Sequence, residues 1–142
     1  MRVVHLAPFI EGGYTGGMQR YVIELVKQQR CSGIDASVQT IRLGDEDHVD
    51  GVPMAGRRAT FVWQRTPVHA LLPHDLGRIE ADVVHVHSPS PTLEVALLMS
   101  RPKVRRLVLT LHNVLPATTR LQRALGTIET AVLRRVLRRA DA

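Results

Sequence analysis

Three small clusters of residues in this 142-residue chain have the types and spacing for chemistry. The first is the loop Gly12-Gly13-Tyr14-Thr15-Gly16-Gly17, between the apolar run Arg2–Ala7 and a helical pattern from Met18 to Arg30. Glycines there expose backbone N–H groups at a helix N-terminus, where the helix dipole favours an anion, so the loop suits a phosphate. Arg20, one turn into the helix, is either a solvated arginine or a phosphate clamp. The second cluster is His85-x-His87-Ser88. On a strand both imidazoles point to one face, and two at that spacing can share a metal ion. No Cys or His–Glu cluster supplies a third ligand, so no metal is expected. His85 reads as a packed core residue and His87, at the strand end, as one that reaches a ligand. The third cluster is His112-Asn113, placed like His87 after an apolar run; its plainer reading is a cap for the next loop.

The elements that must carry these clusters alternate in type. Arg2–Ala7 reads as a buried strand, followed by a helix whose apolar stripe is Met18, Tyr21, Val22, Leu25 and Val26 and which Ser32-Gly33 ends. Asp35–Leu43 reads as a second strand. Gly44–Thr66 reads mostly as loop, with an acidic patch at Asp45, Glu46, Asp47 and Asp50 and a short strand at Val52–Ala55. Val68–Glu80 reads as a poor helix interrupted by Pro73 and Gly77. Val83–His87 is a strand, Thr92–Arg101 a helix, Leu107–Leu111 a strand with the continuous apolar character of one covered on both faces, and Ala117–Ala140 a long basic helix. That helix has the stripe Leu121, Leu125, Ile128, Val132 and Val136. Strand–helix alternation of this kind predicts an α/β fold with a doubly wound, Rossmann-like parallel sheet. In such sheets ligands bind beyond the carboxyl ends of the strands. All three clusters fall at those ends.

Composition sets the outer bounds. The net charge is +6, carried almost wholly by arginine, because Lys27 and Lys103 are the only lysines. That balance attracts anions such as nucleotides or anionic lipid. Aromatic residues are 4% of the chain, too few for base-stacking platforms, so nucleic acid is not an expected partner. Cys31 is the only cysteine and cannot form an internal disulfide. With no apolar run long enough to span a bilayer and no signal-peptide pattern, a cytoplasmic location is expected. The arginines Arg120, Arg123, Arg134, Arg135, Arg138 and Arg139 near the end of the chain read as a solvated face or as contact with an anionic membrane surface.

The glycine loop is not a dinucleotide fingerprint, because Pro8-Phe9-Ile10-Glu11 separates it from the strand, and it is not a P-loop, because Met18 stands where Lys would be needed. Taken together, Gly-Gly-Met-Gln-Arg at 16–20, Ala-Asp-Val-Val-His-Val-His-Ser-Pro at 81–89 and Leu-Thr-Leu-His-Asn at 109–113 resemble glycosyltransferase family 4 in order and spacing. The resemblance covers nearly the whole chain except Gly44–Thr66. It implies the N-terminal, acceptor-side half of a GT-B fold, in an enzyme that passes a sugar from a nucleotide-sugar donor to an acceptor with retention and without an essential metal or cofactor. It further implies that Gly16 and Gly17 approach the donor diphosphate, with Arg20, His87, Ser88 and Asn113 around the substrate, and that His112 is the catalytic residue facing the transferred sugar. Gly33-Ile34-Asp35-Ala36 departs from the family's usual Gly-His-Glu-Val, and no glutamate pair has the family's eight-residue offset, so the donor-binding C-terminal domain is expected in cis or trans and the isolated domain is expected to be inactive. The alternative is a stand-alone nucleotide- or partner-binding module.

Overall fold

The computed structural model describes residues 1–8, 16–63, 66–100, 102–112 and 130–141. Strand β1 (Arg2–Leu6) leads to helix α1 (Gly17–Cys31), then β2 (Asp35–Gln39), the short strands β3 (His48–Val49), β4 (Val52–Ala55), β5 (Phe61–Trp63) and β6 (Thr66–Val68), and helix α2 (Leu72–Gly77). Strand β7 (Glu80–Ser88), helix α3 (Pro91–Met99) and strand β8 (Lys103–Leu111) follow, and residues 130–137 are helical. The six-stranded sheet has the order β3-β4-β2-β1-β7-β8. All its pairings are parallel except β3 with β4. The chain therefore winds outward from β1 in one direction through β2 and β4, then returns to the other side of β1 for β7 and β8. The reversal makes the β1–β7 junction the topological switch point, where an open α/β sheet leaves a crevice at its carboxyl edge.

Each face of the sheet has its own core, because alternate strand residues point to opposite sides. On one face Val3, Ala36, Val38, Val52 and Met54 pack with Val22, Ile23 and Val26 of α1. On the other, Val4, Leu6, Val84, Val86 and Leu107 pack with Leu72 and Leu76 of α2, Leu93, Ala96 and Leu97 of α3, and Val136. The buried stripe of α1 is Gln19, Val22, Ile23 and Val26, one step round from the expected one. Tyr21 is exposed on α1 and Leu25 only half-buried. Gly33, at φ 78°, ends the helix run in the left-handed conformation that a side chain disfavours.

Several expected boundaries change. Strand β2 stops at Gln39 rather than Leu43, and α3 starts at Pro91, where proline fits the first helical turn. Pro73 likewise stands in the first turn of α2, so it starts the helix rather than interrupting it. The segment 44–66 holds more strand than expected. Val52–Ala55 is β4 as read, but β3 pairs with it through a tight turn at Asp50-Gly51, whose φ values of 50° and 77° suit a two-residue hairpin. Strands β5 and β6 form a second hairpin. Of the long basic helix, only residues 130–141 are described; there Val136 is buried, whereas Leu121, Leu125, Ile128, Arg120 and Arg123 lie outside the described residues. Arg139 donates to the carbonyls of Leu97 and Leu98, and the side chain of Asp141 accepts from the Leu107 N–H at 2.7 Å.

Candidate functional site at the sheet switch point

Parallel pairing sets His5 of β1 directly beside His85 of β7. The period of two then puts His87 on the same face, one step nearer the carboxyl edge. His112 follows the end of β8, and its backbone N–H donates to the Ser88 carbonyl at 2.9 Å. Four of the seven histidines thus converge at the switch point. Ring centroids are 4.4 Å apart for His85 and His87, 5.0 Å for His5 and His85, and 5.2 Å for His87 and His112. Tyr21 comes down from α1 edge-on to His112, with centroids 5.1 Å apart, and to His87 at 6.0 Å.

The imidazoles are linked nitrogen to nitrogen. Gln29 Oε1 of α1 lies 2.8 Å from His5 Nε2, His5 Nδ1 lies 3.0 Å from His87 Nε2, and His87 Nδ1 lies 2.9 Å from His112 Nε2. His85 stands to one side, with Nε2 2.7 Å from Thr110 Oγ1. Burial disfavours the charged form of each ring. It pushes His87 down to about 2 and His85 to about 4, helped in both cases by repulsion from neighbouring imidazoles, and it lowers His5 and His112 as well. The hydrogen bond to Gln29 partly opposes the shift at His5. At neutral pH the group is uncharged.

Among the described residues, His5, His85 and His87 are the group whose ring nitrogens lie close enough, within 4.8 Å of one another, to hold a metal ion. His5 is the third imidazole that the sequence spacing did not reveal. A metal would have to compete with the hydrogen bond that already joins His5 Nδ1 to His87 Nε2.

The expected site residues divide into two groups. His87 and Ser88 are fully buried and engaged within the protein. The Ser88 hydroxyl donates a short hydrogen bond to Glu94 Oε1, which also accepts from the Ser90 N–H at 3.1 Å. His112 is only half-buried, and is the member of the histidine group that ends the chain of bonds. Gly16 is the N-cap of α1 and Gly17 its first residue; the first turn has no acidic side chain and, among the described residues, no side-chain cap on its N–H donors. Arg20 is exposed one turn in. Asn113 lies outside the described residues.

The sequence reading missed His5, Gln29, Tyr21 and Glu94. His5 carried a usable signal, an odd polar residue inside an apolar strand. Glu94 carried another, four residues after Ser90 at a helix start, a relative of the capping-box pattern. Gln29 and Tyr21 carried none, since an amide and a phenol on a helix face are ordinary.

No helix among the described residues is long and apolar enough to cross a membrane. No curated protein matches the chain. The sequence model of Glycosyltransferase Family 4 matches residues 15–142, a span that takes in Gly16, Gly17 and both histidine motifs, and this chain belongs to that family.

Proposed function

We propose that this domain is the acceptor-side, N-terminal half of a retaining GT-B glycosyltransferase that moves a sugar from a nucleotide-sugar donor to an acceptor, with a donor-binding domain supplied in cis or trans. The observation that carries the reading is the contact of Tyr21, one turn into α1, with the half-buried His112 end of the histidine group at the switch point of the sheet, which brings the first turns of α1 to that end of the site. As the bond between the anomeric carbon and the diphosphate breaks, negative charge collects on the departing diphosphate. Preset N–H donors at Gly16 and Gly17, with Arg20 nearby, stabilise charge of that sign. Binding, orientation and charge stabilisation of this kind require no cofactor. His112, neutral and partly open, is the residue placed to touch the transferred sugar or the acceptor hydroxyl. The reading includes a cytoplasmic enzyme, and exposed Arg134, Arg135 and Arg138 suit work against an anionic membrane face.

The test is transfer of sugar from a panel of nucleotide sugars by the complete enzyme, alongside the isolated domain. Transfer by the complete enzyme with none by the domain supports the proposal. Nucleotide binding with no transfer by the longest native polypeptide would instead indicate a binding module.

A further inference from the structure

The chain of imidazoles has a direction, and one amide sets it. Gln29 Oε1 has only lone pairs to offer, so His5 Nε2 carries the proton between them. A neutral imidazole has one N–H, so His5 Nδ1 is a bare lone pair, and His87 Nε2 must donate to it. His87 Nδ1 is then bare in turn and accepts from His112 Nε2. That leaves His112 Nδ1 unprotonated, with no partner among the described residues. Turning the Gln29 amide so that its NH2 faced His5 would reverse all three bonds and leave His112 Nδ1 as a donor.

We infer that Gln29, His5 and His87 are positioning residues that hold His112 in its Nε2–H tautomer, so that His112 meets the substrate through Nδ1 as a hydrogen-bond acceptor, at a hydroxyl rather than at a phosphate or carboxylate. This rests on the reading of His112 as the substrate-facing residue. The groups packed against the array agree with an uncharged chain. They are Gln29 and Tyr21 from α1, His85 from β7 and Thr110 from β8. No carboxylate among the described residues bonds to any of the four rings, so an imidazolium there would lack a counter-ion. A bare nitrogen repels an anionic oxygen and accepts from a hydroxyl, so the anion chemistry belongs to the α1 N-terminus and the hydroxyl chemistry to His112. The two ends of the site thereby sort the two ends of a nucleotide sugar.

The test is long-range 1H–15N correlation spectroscopy on the chain labelled with 15N-histidine at neutral pH, which identifies the protonated nitrogen of each ring. Nε2–H forms at His5, His87 and His112 are expected. An Nδ1–H form at His112 overturns the inference in the unmodified protein, whatever any variant does. Gln29 is only half-buried, so Gln29→Met should fold while removing the acceptor. The expected result is a mixed tautomer at His112, restored by Gln29→Glu, which keeps an acceptor in place. A His112 signal unmoved by Gln29→Met means that the chain does not set it. In the complete transferase, Gln29→Met should lower kcat about tenfold with the donor KM little changed, the effect of one ordinary hydrogen bond. Wild-type kcat in Gln29→Met beside an inactive His112→Ala overturns the chain alone. Wild-type turnover in His112→Ala defeats the substrate-facing reading, and the spectrum still decides the tautomer.

Discussion

Lowering the pH should unfold this domain unusually early, and His87 supplies most of the effect. Its folded pKa of about 2 lies far below the unfolded value of 6.5. Below pH 6.5 the unfolded chain binds a proton at this position that the folded chain refuses. Stability from His87 is therefore fully present above pH 6.5 and lost as pH falls. The loss is about 1.4 kcal/mol per pH unit, or about 3 kcal/mol between pH 6.5 and 4. His85, lowered to about 4, acts in the same direction, but it is only half-buried and solvent screening cuts its share. The carboxylates that hydrogen bonds hold below their ordinary values, Asp47, Glu80 and Asp82, act in the same direction, but they are exposed or half-exposed, so solvent screening keeps their share small, and the comparison with His87→Gln cancels it. Against a total stability of about 5–15 kcal/mol, the histidine effect alone removes a large fraction. With a urea slope of about 1.5 kcal/mol per molar, the denaturation midpoint should fall by about 2 M over that range. The assay is urea unfolding followed by circular dichroism at several pH values between 7 and 4, for the wild type and His87→Gln. At pH 7 the wild type should be the more stable, and the gap should close by about 3 kcal/mol towards pH 4. Parallel pH curves would refute a buried, neutral His87.

Other perturbations read other parts of the argument. In the complete transferase, His112→Ala should cut turnover more than it weakens donor binding; unchanged turnover removes His112 from the site. Gly17→Leu isolates the approach of the diphosphate, because a Cβ at Gly17 has nothing within 4 Å whereas one at Gly16 meets the Gln19 side chain. It should leave the unfolding midpoint within about 0.5 kcal/mol of wild type while weakening the donor, and an unchanged donor Kd and rate would sink that role for the loop. Gly56→Ala should destabilise the domain by about 1–3 kcal/mol, since Gly56 sits at φ 126° and its new Cβ would run into the Thr40 carbonyl; a loss below about 0.5 kcal/mol in the same urea assay would contradict this packing.

The sequence carried the fold well wherever one local rule dominated. Continuous apolar strands beside an amphipathic helix gave the parallel sheet, and Ser32-Gly33 gave the end of α1. It carried the fold poorly where neighbours decided. Residues 44–66 have mixed polarity because β3, β5 and β6 are short and lie at edges or in a hairpin apart from the main sheet, so they bury little and leave almost no period. Pro73 is ambiguous in the sequence because proline breaks a helix interior yet favours its first turn, and only the true start of α2 distinguishes the two. The stripe of α1 lies one step round from the apolar one because Gln19 and Ile23 are buried, while Tyr21 is drawn out of the core towards the histidines.

The site shows the same division more sharply. Spacing alone puts His85 and His87 on one face, and spacing assigned the interior ring to the core and the terminal ring to the ligand. Burial runs the other way: His87 is fully covered and His85 is half-open. The reason is the sheet order. Strand β1 lies beside β7, so His5 arrives next to His85 and bonds to His87 from within the sheet, while His112 and Tyr21 close over the strand end. No property of the segment 81–89 contains that information, because it depends on a strand some eighty residues earlier in the chain. What the register creates is also more than a set of neighbours. Two histidines on a strand end would titrate near their ordinary value and could meet a phosphate as cations. Four packed together, with no carboxylate bonded to them among the described residues, repel one another's protons and stay neutral, and three of them are bonded in a chain. The family motif covers His87 and His112, but on the inference drawn above the chemistry left at His112 is set by the two rings and one amide bonded behind it.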